Sequence, residues 1–148
     1  MDILINCLFA FCACLGFCFI FHVRRSIFPF AALGGALGWL VYSVTAPVGS
    51  DFMQYFLATI AISIYAEGMA RLFKAPVTCF LVVAMLPLVP GGGIYYTMEY
   101  ALNGNTQTFL ESLFHTIGIA GALALGIMLV SSVVHLWRKI LSLHKAAR

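Results

Sequence analysis

From Ile3 to about His22 the chain carries no Asp, Glu, Lys or Arg, and the run then ends at Arg24-Arg25. A hydrocarbon core about 30 Å thick is crossed by roughly 20 residues of helix at 1.5 Å per residue. A helix that is apolar all round belongs in a large protein's core or in lipid. A signal peptide would carry its positive charge ahead of the apolar run, but Met1-Asp2 precedes it and the basic pair follows. That order is a stop-transfer pattern, so the first run reads as a true span.

Four further runs follow. The second covers 27–45 and stops at Ala46-Pro47-Val48-Gly49-Ser50-Asp51, a turn in which Pro and Gly let the chain reverse. The third covers 52–70, followed by Arg71, Lys74 and Pro76. The fourth covers 77–102 and is interrupted by Pro87, Pro90 and Gly91-Gly92-Gly93. After the polar loop from Asn103 to Gln107, the last apolar run goes from Phe109 to about Trp137, with its membrane part placed at 112–136. The expected fold is all-α: one polytopic membrane domain over 1–148 with five transmembrane helices, the fourth broken at a Pro/Gly motif. Composition agrees. Charged residues make up 9% of the chain, against about a quarter in soluble domains, and the mean hydropathy is +1.03.

The basic residues orient the spans. The eight Lys and Arg occupy alternate connecting segments: Arg24 and Arg25, then Arg71 and Lys74, then Arg138, Lys139, Lys145 and Arg148. All therefore fall on one side, which the positive-inside rule makes cytoplasmic. The N-terminus is expected outside and the C-terminus inside a plasma (inner) membrane. Asp2, Asp51, Glu99 and Glu111 fall on or near the outer side. A net charge of +3 spread in this way holds no patch dense enough for a nucleic acid.

Several chemistries find no support. Four of the five cysteines, Cys7, Cys12, Cys14 and Cys18, lie inside the first apolar run, where Cys behaves as a small hydrophobe; Cys79 is the fifth. Neither a metal site nor a disulfide framework is expected, and no cofactor. The glycine run lacks the Lys-Ser/Thr of a nucleotide loop, and no triad, paired-Asp or HExxH feature points to an enzyme.

Small residues mark where helices approach closely. Gly34 and Gly38 form such a pair in the second span, and Gly118, Ala122 and Gly126 form a ridge in the fifth; either set serves packing within the chain or against a partner. At the break, each proline removes a donor and the glycines disfavour helix. Irregular backbone facing lipid would leave peptide groups unpaired, so it must lie against protein or a polar cavity. A discontinuous helix presents a free amide end suited to a carboxylate. Pro87, Pro90, Gly91, Gly92, Gly93, Tyr95 and Glu99 are therefore candidates for a substrate pathway. A kink retained for packing is the competing reading.

Glu67 is the one carboxylate well inside an apolar run. It is a candidate for substrate binding or proton coupling, or alternatively one half of an ion pair with Arg71 a turn away. His115, early in the fifth span, is a further candidate. The hydroxyls of Tyr65, Tyr96 and Thr97 are further pathway groups, while His22, Tyr42 and Trp137 read as interface residues.

The stretches FIFHVRRSIFPFAALGGALGWLVY (19–42) and AISIYAEGMARLFKAPVTCFLVVAMLPLVPGGGIYYTM (61–98) resemble the threonine/serine exporter family, as do the polar loop and the glycine-bearing last span. The likeness is to the small membrane component of its two-component type. It implies a secondary exporter of small carboxylate-bearing solutes, either threonine and serine or C4-dicarboxylates such as succinate. It also implies a larger membrane subunit as partner, and it places Glu67, Pro87, Pro90, Gly91 and Gly92 in the membrane core. His22 stands where an Asn or other polar residue is expected before VRR. A self-sufficient homo-oligomeric transporter or channel, and a non-transporting scaffold or accessory subunit, are the alternatives.

Overall fold

The computed structural model describes residues 2–47 and 49–146, and side chains for 3–47 and 49–140. Val48 of the second turn, Arg148, and the side chains of Asp2 and Lys145 lie outside the described residues. In order, the chain forms α1 (Asp2–Ile20), a 3-10 turn (Arg25–Ile27), α2 (Phe28–Thr45), α3 (Asp51–Phe73) and α4 (Val77–Met85). A second 3-10 turn (Leu86–Leu88) precedes α5 (Gly91–Leu102) and α6 (Thr106–Ala146). All regular elements among the described residues are helical.

α1, α2, α3 and α6 are each long and apolar enough to span a bilayer, and the pair 77–88 and 91–102, bent by 51°, qualifies when taken together. Contacts along the chain decide how that pair runs. Asp51 meets His115 and Glu67 meets Arg138, while Gly118 lies against Phe52 and Gly126 against Thr59. Rising numbers on α3 thus meet rising numbers on α6, so the two helices are parallel. The chain between them must climb the full length of the bundle, so α4 and α5 form one broken traverse rather than a hairpin returning to its own end.

Helix ends follow local chemistry. α1 stops at Ile20, short of His22, because His22 adopts the left-handed conformation (φ 51) and the Val23 N–H bonds back to the Cys18 carbonyl. α3 runs on to Phe73, then ends in the same way at Lys74 (φ 51), with the Ala75 N–H on the Ala70 carbonyl. α6 extends well beyond 112–136 at both ends. Gln107, Glu111, Arg138 and Lys139 on its flanks are good helix formers, and hydropathy marks the stretch that suits lipid rather than the limits of the helix.

α2 is the central helix, packed against α1, α3 and α4. Near the Arg24-Arg25 end, Cys14, Cys18, Ala31, Ala32, Ala66 and Phe80 form one apolar cluster. Cys14 is seated against Gly35, and its thiol donates to the Val83 carbonyl at 3.3 Å. A second cluster joins Ile62, Ala84 and Leu88 to Ile119 and Leu123 of α6. Glycine makes both possible. A β-carbon on Gly34 would stand 2.8 Å from Ala84 Cβ, one on Gly38 2.8 Å from Ile62 Cγ2, and one on Gly126 2.9 Å from Thr59 Cβ. Ala122 is buried on the same ridge.

Gly34→Ala and Gly126→Ala should each destabilise the detergent-solubilised protein by about 1–3 kcal/mol, the usual cost of overpacking. Gly121 has nothing within 4 Å of its built β-carbon, so Gly121→Ala should leave thermal unfolding unchanged or slightly raised. Equal melting of all three variants would contradict this packing.

Candidate functional site

The break begins where α4 is most buried. Leu88 is enclosed at the level of Gly38 and Ile62, and Pro87 lies against Gly35 and lines a cavity together with Trp39. Val89 and Pro90 then leave the helical path (ψ 128 and 60), and α5 starts at Gly91. The Gly91 N–H turns back to the Val89 carbonyl at 2.7 Å and the Ile94 N–H reaches Pro90 at 3.1 Å. Between them the N–H groups of Gly92 and Gly93 find no acceptor among the described residues. They form the positive end of the α5 dipole.

α5 departs from the α2–α3–α4 group and packs on the first turns of α6. Two features fix it there. Gly93 comes close enough to Thr116 that a β-carbon would stand 2.7 Å from its hydroxyl. Thr97 shares a 2.7 Å hydrogen bond with Ser112 and also bonds the Gly93 carbonyl at 2.6 Å. The opposite face of α5 is left uncovered by the described residues: Gly91, Gly92, Tyr95, Met98 and Glu99 are all exposed. Tyr95 stacks edge-on with Tyr96.

Glu67 lies elsewhere. It is five residues beyond Ile62, about 7.5 Å along α3, and its side chain, 16% exposed, faces α6. One oxygen, Oε2, receives Arg138 at 3.1 Å and Arg71 at 3.7 Å. Two guanidiniums on one carboxylate leave this end of the α3–α6 seam with net positive charge. The far end is closed by His115 Nε2 and Asp51 Oδ2 at 3.5 Å, with Gln54 also donating to Asp51. The candidate residues therefore fall into two groups. Pro87, Pro90, Gly91, Gly92 and Gly93 form the break, with Tyr95 and Glu99 on the exposed continuation. Glu67 stands apart, in an ion-pair cluster at the basic end.

Several polar groups escape a reading of the sequence. Arg138 is 71 residues from Glu67. Ser112 and Thr116, at helical spacing, carry a weak signal for an inward polar strip. Ser63 Oγ is buried on α3 without a hydrogen-bond partner, as is Trp39 Nε1 on α2. The tyrosine hydroxyls divide: Tyr65 donates to the Phe30 carbonyl at 2.7 Å, joining α3 to α2, and so is structural. Tyr42 and Tyr55 pack ring to ring.

The geometry sorts the two groups chemically. The break offers neutral, directed N–H donors beside open space, which suits a carboxylate that must bind and leave. The Glu67 cluster is already internally paired, which suits a latch whose opening requires a charge to move. A double-mutant cycle should show Glu67 coupled to Arg138 by up to about 1 kcal/mol and to Arg71 by less, since both guanidiniums are largely exposed and Arg138 is the nearer. The measurement is thermal or denaturant unfolding of Glu67→Gln, Arg138→Gln, Arg71→Gln and the double variants. The opposite order would place the main partner wrongly.

The chain matches the protein family described as Threonine/Serine exporter, ThrE, over residues 6–133. No solved structure matches it.

Proposed function

The chain belongs to the threonine/serine exporter family, and from that premise we propose that it is the small subunit of a two-component secondary exporter. Its substrates are small carboxylate-bearing metabolites, threonine and serine or C4-dicarboxylates such as succinate. The observation that carries this reading is the broken traverse. Two free amides at the start of α5 stand beside a helix face that no described residue covers. Backbone of that kind is stable in lipid only against protein or a polar cavity. A second, larger membrane subunit supplies the missing wall, and the substrate carboxylate occupies the amide end from within the cavity so formed.

In this mechanism the Gly92 and Gly93 amides orient the carboxylate without neutralising it by a full charge, which keeps release fast. Gly91 and Gly92 give it room: no atom comes within 4 Å of a β-carbon built on Gly91, and only the Tyr96 ring edge, at 3.9 Å, nears one on Gly92. Glu67 acts at the other end as the coupling group. Protonation of its carboxylate releases Arg138 and Arg71, loosening α6 from α3 and opening the basic end. That end faces the cytoplasm, with the N-terminus outside, in the inner membrane.

Efflux of labelled threonine and of labelled succinate from loaded cells, with this chain and the larger subunit expressed singly and together, tests the proposal. Efflux should require both chains. Gly92→Leu should lower it at least tenfold by filling the amide end, and Glu67→Gln should abolish its response to the pH gradient, both at unchanged protein levels. Normal efflux from this chain alone would favour a homo-oligomeric transporter. Normal efflux from both variants would remove the break and Glu67 from the pathway.

A further inference from the structure

The two left-handed helix caps meet in one place. His22 and Lys74 are the non-glycine residues with positive φ among the described residues, and both line a cavity of about 460 Å³ between the α1–α2 and α3–α4 connections. Glycine is the default residue for this cap, because a β-carbon in that conformation crowds the backbone. Here the position is filled twice by a long, positively charged or protonatable side chain, and both belong to the same cavity.

Everything polar in this cavity favours an anion. Arg24 and Ser26 join His22 and Lys74 in its wall. No carboxylate lines it, and neither Arg24 nor Lys74 forms an ion pair among the described residues. His22 donates through Nδ1 to the Ile20 carbonyl at 3.1 Å, which leaves Nε2 free of that bond. The first turn of α4 also opens here, through Pro76 and Cys79. The Cys79 N–H bonds back to Pro76, whereas those of Val77 and Thr78 have no acceptor among the described residues. A helix start with free amides, flanked by two unpaired cations, is suited to a phosphate.

A second, apolar groove distinguishes the ligand. Phe21, Val23 and Cys79 belong both to this cavity and to a neighbouring one of about 210 Å³ that continues along α4 to Val82 and Val83. It leads away from the basic end towards the apolar body of the bundle. A free phosphate or a small carboxylate solute has no use for such a groove, whereas an acyl chain does. We propose that this site seats one anionic phospholipid. Its phosphate rests between Arg24, Lys74 and the α4 amides, and one acyl chain lies along Phe21, Cys79 and Val82. Basic pockets between membrane helices at this depth have the chemistry for such headgroups. The headgroup site lies at the opposite end of α4 from the break and does not depend on what the protein transports.

Native mass spectrometry of the purified full chain, with any co-purifying subunit, tests the proposal with phosphatidylglycerol and phosphatidylcholine of equal chain length. Phosphatidylglycerol should be retained and phosphatidylcholine released. Arg24→Gln with Lys74→Gln should weaken retention by about 30-fold, roughly fivefold for each charge lost at a membrane surface. Arg24→Lys with Lys74→Arg should restore it. Val82→Trp should weaken retention by filling the groove with all charges intact, at an unchanged melting temperature. Equal retention by the wild type and the Gln variant would overturn the site. Complete displacement by millimolar inorganic phosphate or by threonine would overturn the lipid in favour of a free anion. Equal retention of both lipids would reduce the site to an apolar groove.

Discussion

In lipid the hydrophobic effect does little to hold one apolar helix against another, so association falls to close van der Waals contact and to hydrogen bonds between helices. α2 is fastened by that first means. Gly34, Gly35 and Gly38 give its backbone direct access to Ala84, Cys14 and Ile62, and three neighbours converge on it. α6 repeats the device through Gly118 and Gly126 against α3. The hydroxyl link between Thr97 and Ser112 then holds α5 on α6. The bundle is thus built in two steps, with glycine contacts assembling the main group and a short polar bond attaching the broken helix to its outer member.

This division explains why the break can exist at all. Leu88 is locked into the core below it, and Gly93 and Thr97 are held on α6 above it. Val89 and Pro90 have only to bridge the two anchor points. A proline there forgoes no helical hydrogen bond, because the helix has already ended. The glycines that follow start α5 with free amides and no side chain across them. Lysine and histidine at the left-handed caps occupy the position where glycine is ordinarily preferred.

Much of this architecture was legible in the sequence, because bilayer thickness converts directly into run length and because Pro and Gly interrupt helices for local reasons. The bent traverse at 77–102 and the Glu67–Arg71 neighbourhood are both consequences of short-range spacing. What remained hidden is long-range. No spacing rule connects Glu67 with Arg138, which depends on α3 and α6 running parallel. Nothing local marks Thr97 and Ser112 as partners either, since that contact depends on α5 swinging away from α4. The extent of α6 was hidden for another reason. Hydropathy falls at Thr106 and again at Arg138, but helix formation tolerates polar residues that lipid does not. The caps at His22 and Lys74 were equally invisible, as neither residue type announces a positive φ.

The uninterrupted length of α6 has a mechanical consequence. At 1.5 Å per residue its 41 residues span about 62 Å, and no proline interrupts it. It bears α5 near one end and Arg138 towards the other, with the seam on α3 between them. It is therefore a single strut, held to α3 at Asp51, Phe52, Thr59 and Glu67. One unbroken rod thus sets the distance between the attachment of α5 and the Glu67 cluster, and no loop in between can alter it.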